Sequence, residues 1–536
     1  MTRQLPLLLA LVCVLVGPIL LRPKNVGLFG PGERSVVIVT PHNDSIRSEF
    51  GRAFEEWYLA HKGQRVHVDW RIPGGTSEIT RYVDSEYLAA FQNYWTATLH
   101  RPWSKVVEAS FLNRRVVPGP GPAKDTPEQQ ARRAFLDSHV SCKLDLFFGG
   151  GAYDFQQAAS KGLLVDCGYL RAHPEMFGDK PGQIPKALSG EAYWDPQGRW
   201  LGTVISSFGI CYNPDALRRL GIGDPPVLWA DLARPSYDHA IALANPTQSS
   251  SVTRAFEMLI QQQIQESIAA HHLPAGQEKE GVEEGWTQAM RLLMKIGANA
   301  RYFTDSSGKI ALDVEAGEAA AGMTIDFYGR YESEAVRRPD GTSRLQYVNA
   351  EGGTSFGVDP IGLYRGAPDP ELARDFIAFV MSPEGQKLWN WKVGAPGGPQ
   401  RHALRRLPIL PALYAPQFAQ FRTDPDVNPY ELARTFVYHE SWTSPLFRQI
   451  AFIFRVMCID AHEELDTAWN ALQAAHYPPE ATKIFEDVSA IDYAAANGRI
   501  RDALGDKIRE VQLARELSDH FRDQYHRAAE AARNGR

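Results

Sequence analysis

Residues 144–163 read LDLFFGGGAYDFQQAASKGL. LDLFF is a short apolar run of strand type, and AYDFQQAASKG carries apolar residues at helical spacing before a terminating glycine. Between them stand Gly149, Gly150 and Gly151. A strand that enters a helix through residues without side chains leaves backbone N–H groups uncovered at the helix start. Such groups, at the positive end of the helix dipole, favour anions and carbonyl oxygens. The same order occurs upstream, where RVHVDW passes through PGGTSEIT (73–80), and where SVVIVT passes through Pro41, His42 and Asn43 into NDSIRSEFGRAFEEWYLAH. A fourth case is HAIALANP, which reaches a long helix through Thr247-Gln248-Ser249-Ser250-Ser251. Strands alternating with helices predict a mostly parallel α/β sheet. In such sheets these turns gather at the carboxyl ends of the strands, where ligands bind. Gly, Ser and Thr are also ordinary turn and cap residues, so one such turn says little. Four of them, at matching places in two α/β units, point to one cleft.

The chain has 536 residues, more than one ordinary core can organise, so at least two domains are expected. Charged residues make up 22% and the formal net charge is −6, with no long basic run, so a nucleic-acid partner has no electrostatic support. Leu5 to Leu21 is an apolar run behind a single arginine, and residues 1–30 read as a signal peptide or a retained N-terminal membrane anchor. Both readings place the body of the protein in the periplasm or another extracytoplasmic space, tethered to the inner membrane if the anchor stays. Beyond Cys13, the thiols Cys142, Cys167, Cys211 and Cys458 fit neither a disulfide framework nor a zinc motif; they read as small buried residues with at most one bridge.

Several stretches, taken in order, carry a resemblance. They are VIVTPHN with EFGRAFEEW, DLFFGGGAYDFQQAASKGLLVD, WLGTVISSFGICYN with PDALRRLG, ANPTQSSSVTRAFEML, GEAAAGMTIDFYGRY and ARDFIAFVMSPEGQKLWNWKVGAPGGP. This order is similar to the type II solute-binding proteins of ABC importers, especially the iron(III)- and thiamine-type group, over residues 35–82 and 141–410. The resemblance implies an α/β, two-lobed, periplasmic-binding-protein-like type II fold with a hinge between lobes, plus extra C-terminal helices. Lobe 1 is expected over 31–212, with an insertion at about 83–140, and again over 326–410. Lobe 2 is expected over 213–325, and a helical extension over 411–536. The crossing strands are expected near VISSFGICY and GMTIDFYG.

The implied function is capture of a small ligand in the interlobe cleft and delivery to ABC permease subunits, with no cofactor and no catalytic residue. Candidate ligand-binding residues are His42, Asn43, Gly75, Thr76, Ser77, Gly150, Gly151, Ser206, Ser207, Ser249, Ser250, Asp326 and Tyr328. His42 is expected to add a donor that strengthens when protonated. Iron(III) prefers phenolate and carboxylate oxygens, and His42, Glu78, Asp326 and Tyr328 would supply its ligands. The family's tyrosine pair is broken here, because Phe327 stands beside Tyr328. Thr76, Ser77, Ser249 and Ser250 suit a phosphate, phosphonate or carboxylate, and Asp326 suits a cation such as thiamine. The rival reading is a secreted serine hydrolase using Ser355 in Gly353-Thr354-Ser355-Phe356-Gly357, a match to G-x-S-x-G. That motif needs a helix after the serine, whereas VDPIGL continues as extended chain.

Overall fold

The computed structural model describes residues 34–535 apart from Ala275. The expected signal or anchor lies outside the described residues. Among the described residues, no helix is long and apolar enough to cross a membrane.

The chain begins as the alternating sequence predicts. Strand β1 (Arg34–Val39) leads to helix α1 (Asp44–Lys62), whose first turn is capped by the Asn43 side chain accepting from the Ile46 N–H. Strand β2 (Val66–Arg71) leads to α2 (Thr76–Asn93), and β3 (Leu146–Phe148) to α3 (Ala152–Lys161). The stretch expected as an insertion does not stand apart: α2 runs straight through residue 83, and Tyr87, Phe91, Trp95, Phe111 and Phe135 join the core beneath this sheet.

Strand β4 (Leu201–Ser206) belongs to the first sheet, and β5 (Phe208–Tyr212) to a second. The chain therefore crosses between lobes at Ser206–Phe208, inside VISSFGICY. The second unit holds β6 (Ile241–Ala244), α4 (Ser250–Ala270), α5 (Lys279–Ala298), β7 (Ala300–Thr304), α6 (Ser307–Ala316), β8 (Ala321–Ile325), α7 (Asp326–Ala335) and β9 (Gln346–Asn349). The return crossing comes later than GMTIDFYG. Strand β9 still pairs antiparallel with β5, and only residues 350–356 carry the chain back to β10 (Gly357–Tyr364) of the first sheet. Two helices follow, α8 (Pro370–Met381) and α9 (Pro383–Asn390), then the short strand β11 (Leu407–Pro408).

The first sheet has the order β11-β4-β10-β3-β1-β2, with Leu164–Val165 paired beside β10; the second has the order β7-β6-β8-β5-β9. β1 is parallel to β2 and β3, and β6 is parallel to β7 and β8, which leaves each set of strand-to-helix turns on one edge. Each sheet has its own buried core. The first centres on Phe50, Phe148, Phe376 and Trp389, and the second on Phe256, Trp286 and Met290. Helices α10 (Phe447–Phe454), α11 (His462–Ala474) and α12 (Lys507–Arg533) bury Ile453, Leu465 and Phe521 in that second core. The C-terminal helices thus enlarge the second lobe. All four described cysteines are buried and free, without a bridge.

Candidate functional site

A cavity of about 690 Å³ lies between the lobes. Among the helices that begin on it, five carry polar turns there. From the first lobe come α1, with Pro41, His42, Asn43 and Arg47; α2, with Gly75, Thr76 and Glu78; and α3, with Gly150, Gly151 and Asp154. From the second come α4, with Ser249, Ser250 and Ser251, and α6, with Ser306 and Ser307. Asn43 and Ser306 cap their own helices, but the N-caps of α2, α3 and α4 (Gly75, Gly151 and Ser249) make no side-chain cap hydrogen bond. Three helix starts therefore keep their first N–H groups for something other than their own side chains.

The sequence dictates this local geometry. Gly149 and Gly150 have φ of +87° and +103°, a region that side chains oppose, and a Cβ there would overlap the His42 ring or the Thr76 methyl. Only glycine lets the turn pass so close to the neighbouring one. Thr76 Oγ1 then reaches 2.5 Å from Ser250 Oγ, a direct contact between the two lobes at their helix starts.

Most of the sequence-predicted residues meet here: His42, Asn43, Gly75, Thr76, Gly150, Gly151, Ser206, Ser249, Ser250 and Tyr328, with Glu78 on the wall. Ser77, Ser207 and Asp326 do not line the cavity. Ser207 Oγ donates to Asn349 Oδ1 at 3.2 Å, in the hinge. Asp326 is buried behind the wall with Arg330 at 4.0 Å, and burial pushes its carboxyl up to about 6. Of the residues assigned to iron, Asp326 lies off the cavity, and among the described residues His42, Glu78 and Asp326 form no cluster of converging ligand atoms.

His42 behaves differently from the expectation. Its ring packs edge-on to Phe148, and its Nε2 lies 3.3 Å from Arg406 Nη1. Burial, then the charges of Arg406 and Arg47, push its pKa well below the usual imidazole range. The ring is neutral at ordinary pH, so it supplies no titrating charge. Arg406 is itself fully buried; it donates to Ser206 Oγ and Asp359 Oδ2, both at 2.5 Å, and lies 4.1 Å over the Phe327 ring.

The charges lining the cavity divide clearly. Glu78, Glu191, Asp305 and Asp359 each pair with a cation: Arg81, Arg254, Lys309 and Arg406 respectively. Asp154 has no such partner among the described residues. Burial raises its carboxyl to about 6, opposed by a hydrogen bond from Thr76 and the more distant Lys161. Arg254, four residues into α4, bridges Glu191 of the first lobe and Glu257 of the second. Sequence reasoning missed Arg254, although its i+4 spacing from Ser250 places it on the same helix face. It missed Glu191, Arg406 and Tyr438 too, and these carry no local signal because tertiary contacts alone bring them here.

Ser355 is 1% exposed, and its Oγ donates to Glu191 Oε1 at 2.5 Å. Strand β10, not a helix, follows it. The hydrolase reading is corrected on that geometry: the pentapeptide is a lobe crossing, and among the described residues no imidazole is bonded to the hydroxyl.

Two α/β lobes with a cavity between them at facing helix starts define a ligand-binding module of two-lobed type. The family model for bacterial extracellular solute-binding proteins matches residues 134–401, half of the chain, and the chain belongs to that family. Among curated relatives, the phosphoglycerate transport regulatory protein PgtC of Salmonella typhimurium is 24% identical over 188 residues, 35% of this chain and 40% of that protein. An uncharacterized protein of Haemophilus influenzae is 23% identical over 253 residues, 47% of this chain. The chain thus matches 40% and 61% of the lengths of these two relatives. Among solved structures, fructose-6-phosphate-bound AfuA from Actinobacillus pleuropneumoniae aligns at 18% identity with a TM-score of 0.43, covering 66% of this chain and 81% of that one. Iron-bound HitA from Pseudomonas aeruginosa aligns at 14% identity with a TM-score of 0.45, covering 79% and 98%.

Proposed function

We propose that the protein captures a small organic anion, phosphate- or carboxylate-ended, in the interlobe cavity and hands it to an ABC-type importer outside the cytoplasm. The observation that carries this reading is the convergence of the uncapped starts of α2, α3 and α4 on one cavity. Their N–H groups and dipoles favour negative charge without any side chain having to move. In this reading Gly75, Thr76, Gly150, Gly151, Ser249 and Ser250 hold the charged end, while the hinge at Ser206–Phe208 and residues 350–356 lets the lobes part. The phosphoglycerate relative accords with an anionic cargo. Iron(III) fits less well, because Arg406 and Arg47 surround His42 with positive charge.

Calorimetric titration of the full chain with inorganic phosphate, glycerol 3-phosphate, citrate, iron(III) and thiamine tests the proposal. Saturable binding of one or more of the anions, without turnover, is the expected result. Binding of iron(III) or thiamine alone overturns it.

A further inference from the structure

The chain crosses between lobes a third time. After β11 it follows the first lobe to Ala433, passes along the cavity, and enters the second core at α10. This strap, residues 433–447, lies wholly beyond the family match, which ends at residue 401. Both lobes hold it. Ser189 Oγ donates to the Ala433 carbonyl at 3.1 Å, and the Tyr438 N–H donates to the Ser189 carbonyl at 2.7 Å, on the first-lobe side. On the second, the hydroxyls of Tyr438 and Thr443 donate to Glu257 Oε1 at 2.7 and 2.6 Å, and Gln261 brackets the His439 backbone. Phe436, Tyr438 and Met258 form a small buried cluster of their own.

Four strap residues, Tyr438, Glu440, Ser444 and Phe447, face the cavity. They offer chemistry that the helix starts lack. Phe447 stacks on Tyr153 of α3 with ring centroids 4.7 Å apart and planes 29° apart, which sets an aromatic surface across the two lobes. Glu440 is an exposed carboxylate with no basic partner among the described residues, and it accepts hydrogen bonds. Aromatic surfaces take the apolar faces of rings, and carboxylates take hydroxyl donors. Volume points the same way. At ~30 Å³ per displaced water, a tetrahedral oxyanion replaces only a few waters, and most of a cavity of about 690 Å³ stays unfilled.

We propose that the strap is a specificity wall, which contacts the hydroxylated body of an organic anion whose charged end sits at the helix starts. The cleft then selects such a ligand over a bare oxyanion. This inference rests on the anion reading above. Its test is calorimetric titration of the full chain with glucose 6-phosphate and with inorganic phosphate, in the wild type, Phe447→Leu and Glu440→Gln. The wild type is expected to bind the sugar phosphate at least tenfold more tightly than phosphate. Phe447→Leu should weaken the sugar phosphate about tenfold and Glu440→Gln about threefold, with phosphate changed less than twofold in both. Glu440 is exposed, so its variant keeps the test open should Phe447→Leu fold poorly. If phosphate binds as tightly as the sugar phosphate, or if the variants weaken both ligands equally, the specificity wall is overturned while the anion reading stands. If the wild type binds neither, the specificity wall fails, and the anion reading stands or falls with glycerol 3-phosphate and citrate.

Discussion

The two faces of the cavity are built from different material. The first lobe presents bare backbone at the turns of Gly75, Gly150 and Gly151, set among side chains such as Asn43, Glu78 and Asp154. The opposite face, made by α4 and the strap, presents side chains: Ser249, Ser250, Arg254, Tyr438 and Phe447. A backbone face recognises charge with little regard to what is attached to it. A face of side chains held by Glu191 and Glu257 recognises shape, and it depends on every one of its supports. Generality and selectivity therefore have separate structural sources here, and substitutions can separate them.

The most damaging change should be Arg254→Ala. It leaves Glu191 and Glu257 buried without their shared cation, and breaking a buried pair costs about 3–5 kcal/mol. Urea unfolding should show that loss; a change below about 1 kcal/mol would mean that the side-chain face does not depend on its ion pairs.

Gly75→Val attacks the other face. Its Cβ would stand 3.9 Å from the Gln248 carbonyl oxygen of the second lobe, and the added methyls would close the approach to the α2 start. Because φ at Gly75 is −71°, the backbone accepts valine. Anion affinity should fall at least tenfold with stability held within roughly 1 kcal/mol. Equal affinity would reduce PGGTSEIT to a plain turn.

Asp154 supplies a pH test. Its carboxyl is raised by burial to about 6, so acidification through that value removes a negative charge from beside the anion seat. Affinity for a sulfonate, whose own charge is constant over this range, should rise as pH falls from neutrality past about 6, and Asp154→Asn should flatten the profile. Linkage gives the sign for stability. A carboxyl whose folded pKa lies above the usual carboxylate range contributes stability at low pH that is lost as pH rises through about 6, and the Asn variant should not show this loss. A pH-independent wild type would remove Asp154 from the cleft's electrostatics.

Ser77→Ala should do least. Its side chain does not line the cavity, so affinity should change less than twofold and stability by no more than about 0.5 kcal/mol. A tenfold loss would place that hydroxyl on the ligand after all.

What was legible in the sequence follows the same division. Alternating strands and helices, and the glycines and hydroxyls between them, are local patterns, and they anticipated both sheets and the backbone face. The later return crossing was not legible, because α7 begins directly after β8 while only pairing with β5 keeps β9 in the second sheet. Nor was the strap. Tyr438 and Phe447 sit in a stretch of ordinary amphipathic composition, and the strap is held at the cavity by contacts with residues more than 150 positions away, such as Glu257 and Gln261. Arg406 shows the limit most plainly. Nothing in RHALRRLPIL distinguishes it from the other two arginines, yet of the three it alone is fully buried, among Ser206, Asp359 and His42.

The strap also has a mechanical consequence. Links at 206–208 and 350–356 lie side by side where β4 and β10 pair, and together they act as an axle. A third link fastened to both bodies, beside that axle where Phe208 packs on Phe436 and Tyr438, removes further freedom: the bodies can swing only as far as it pays out slack. Its fastenings at Ser189 and Glu257 leave little slack. The swing of this chain is therefore set by how readily the Tyr438 hydroxyl and N–H let go. Small-angle scattering should find a narrow change in radius between its extremes, and cutting the Tyr438 hydroxyl away with Tyr438→Phe should widen it.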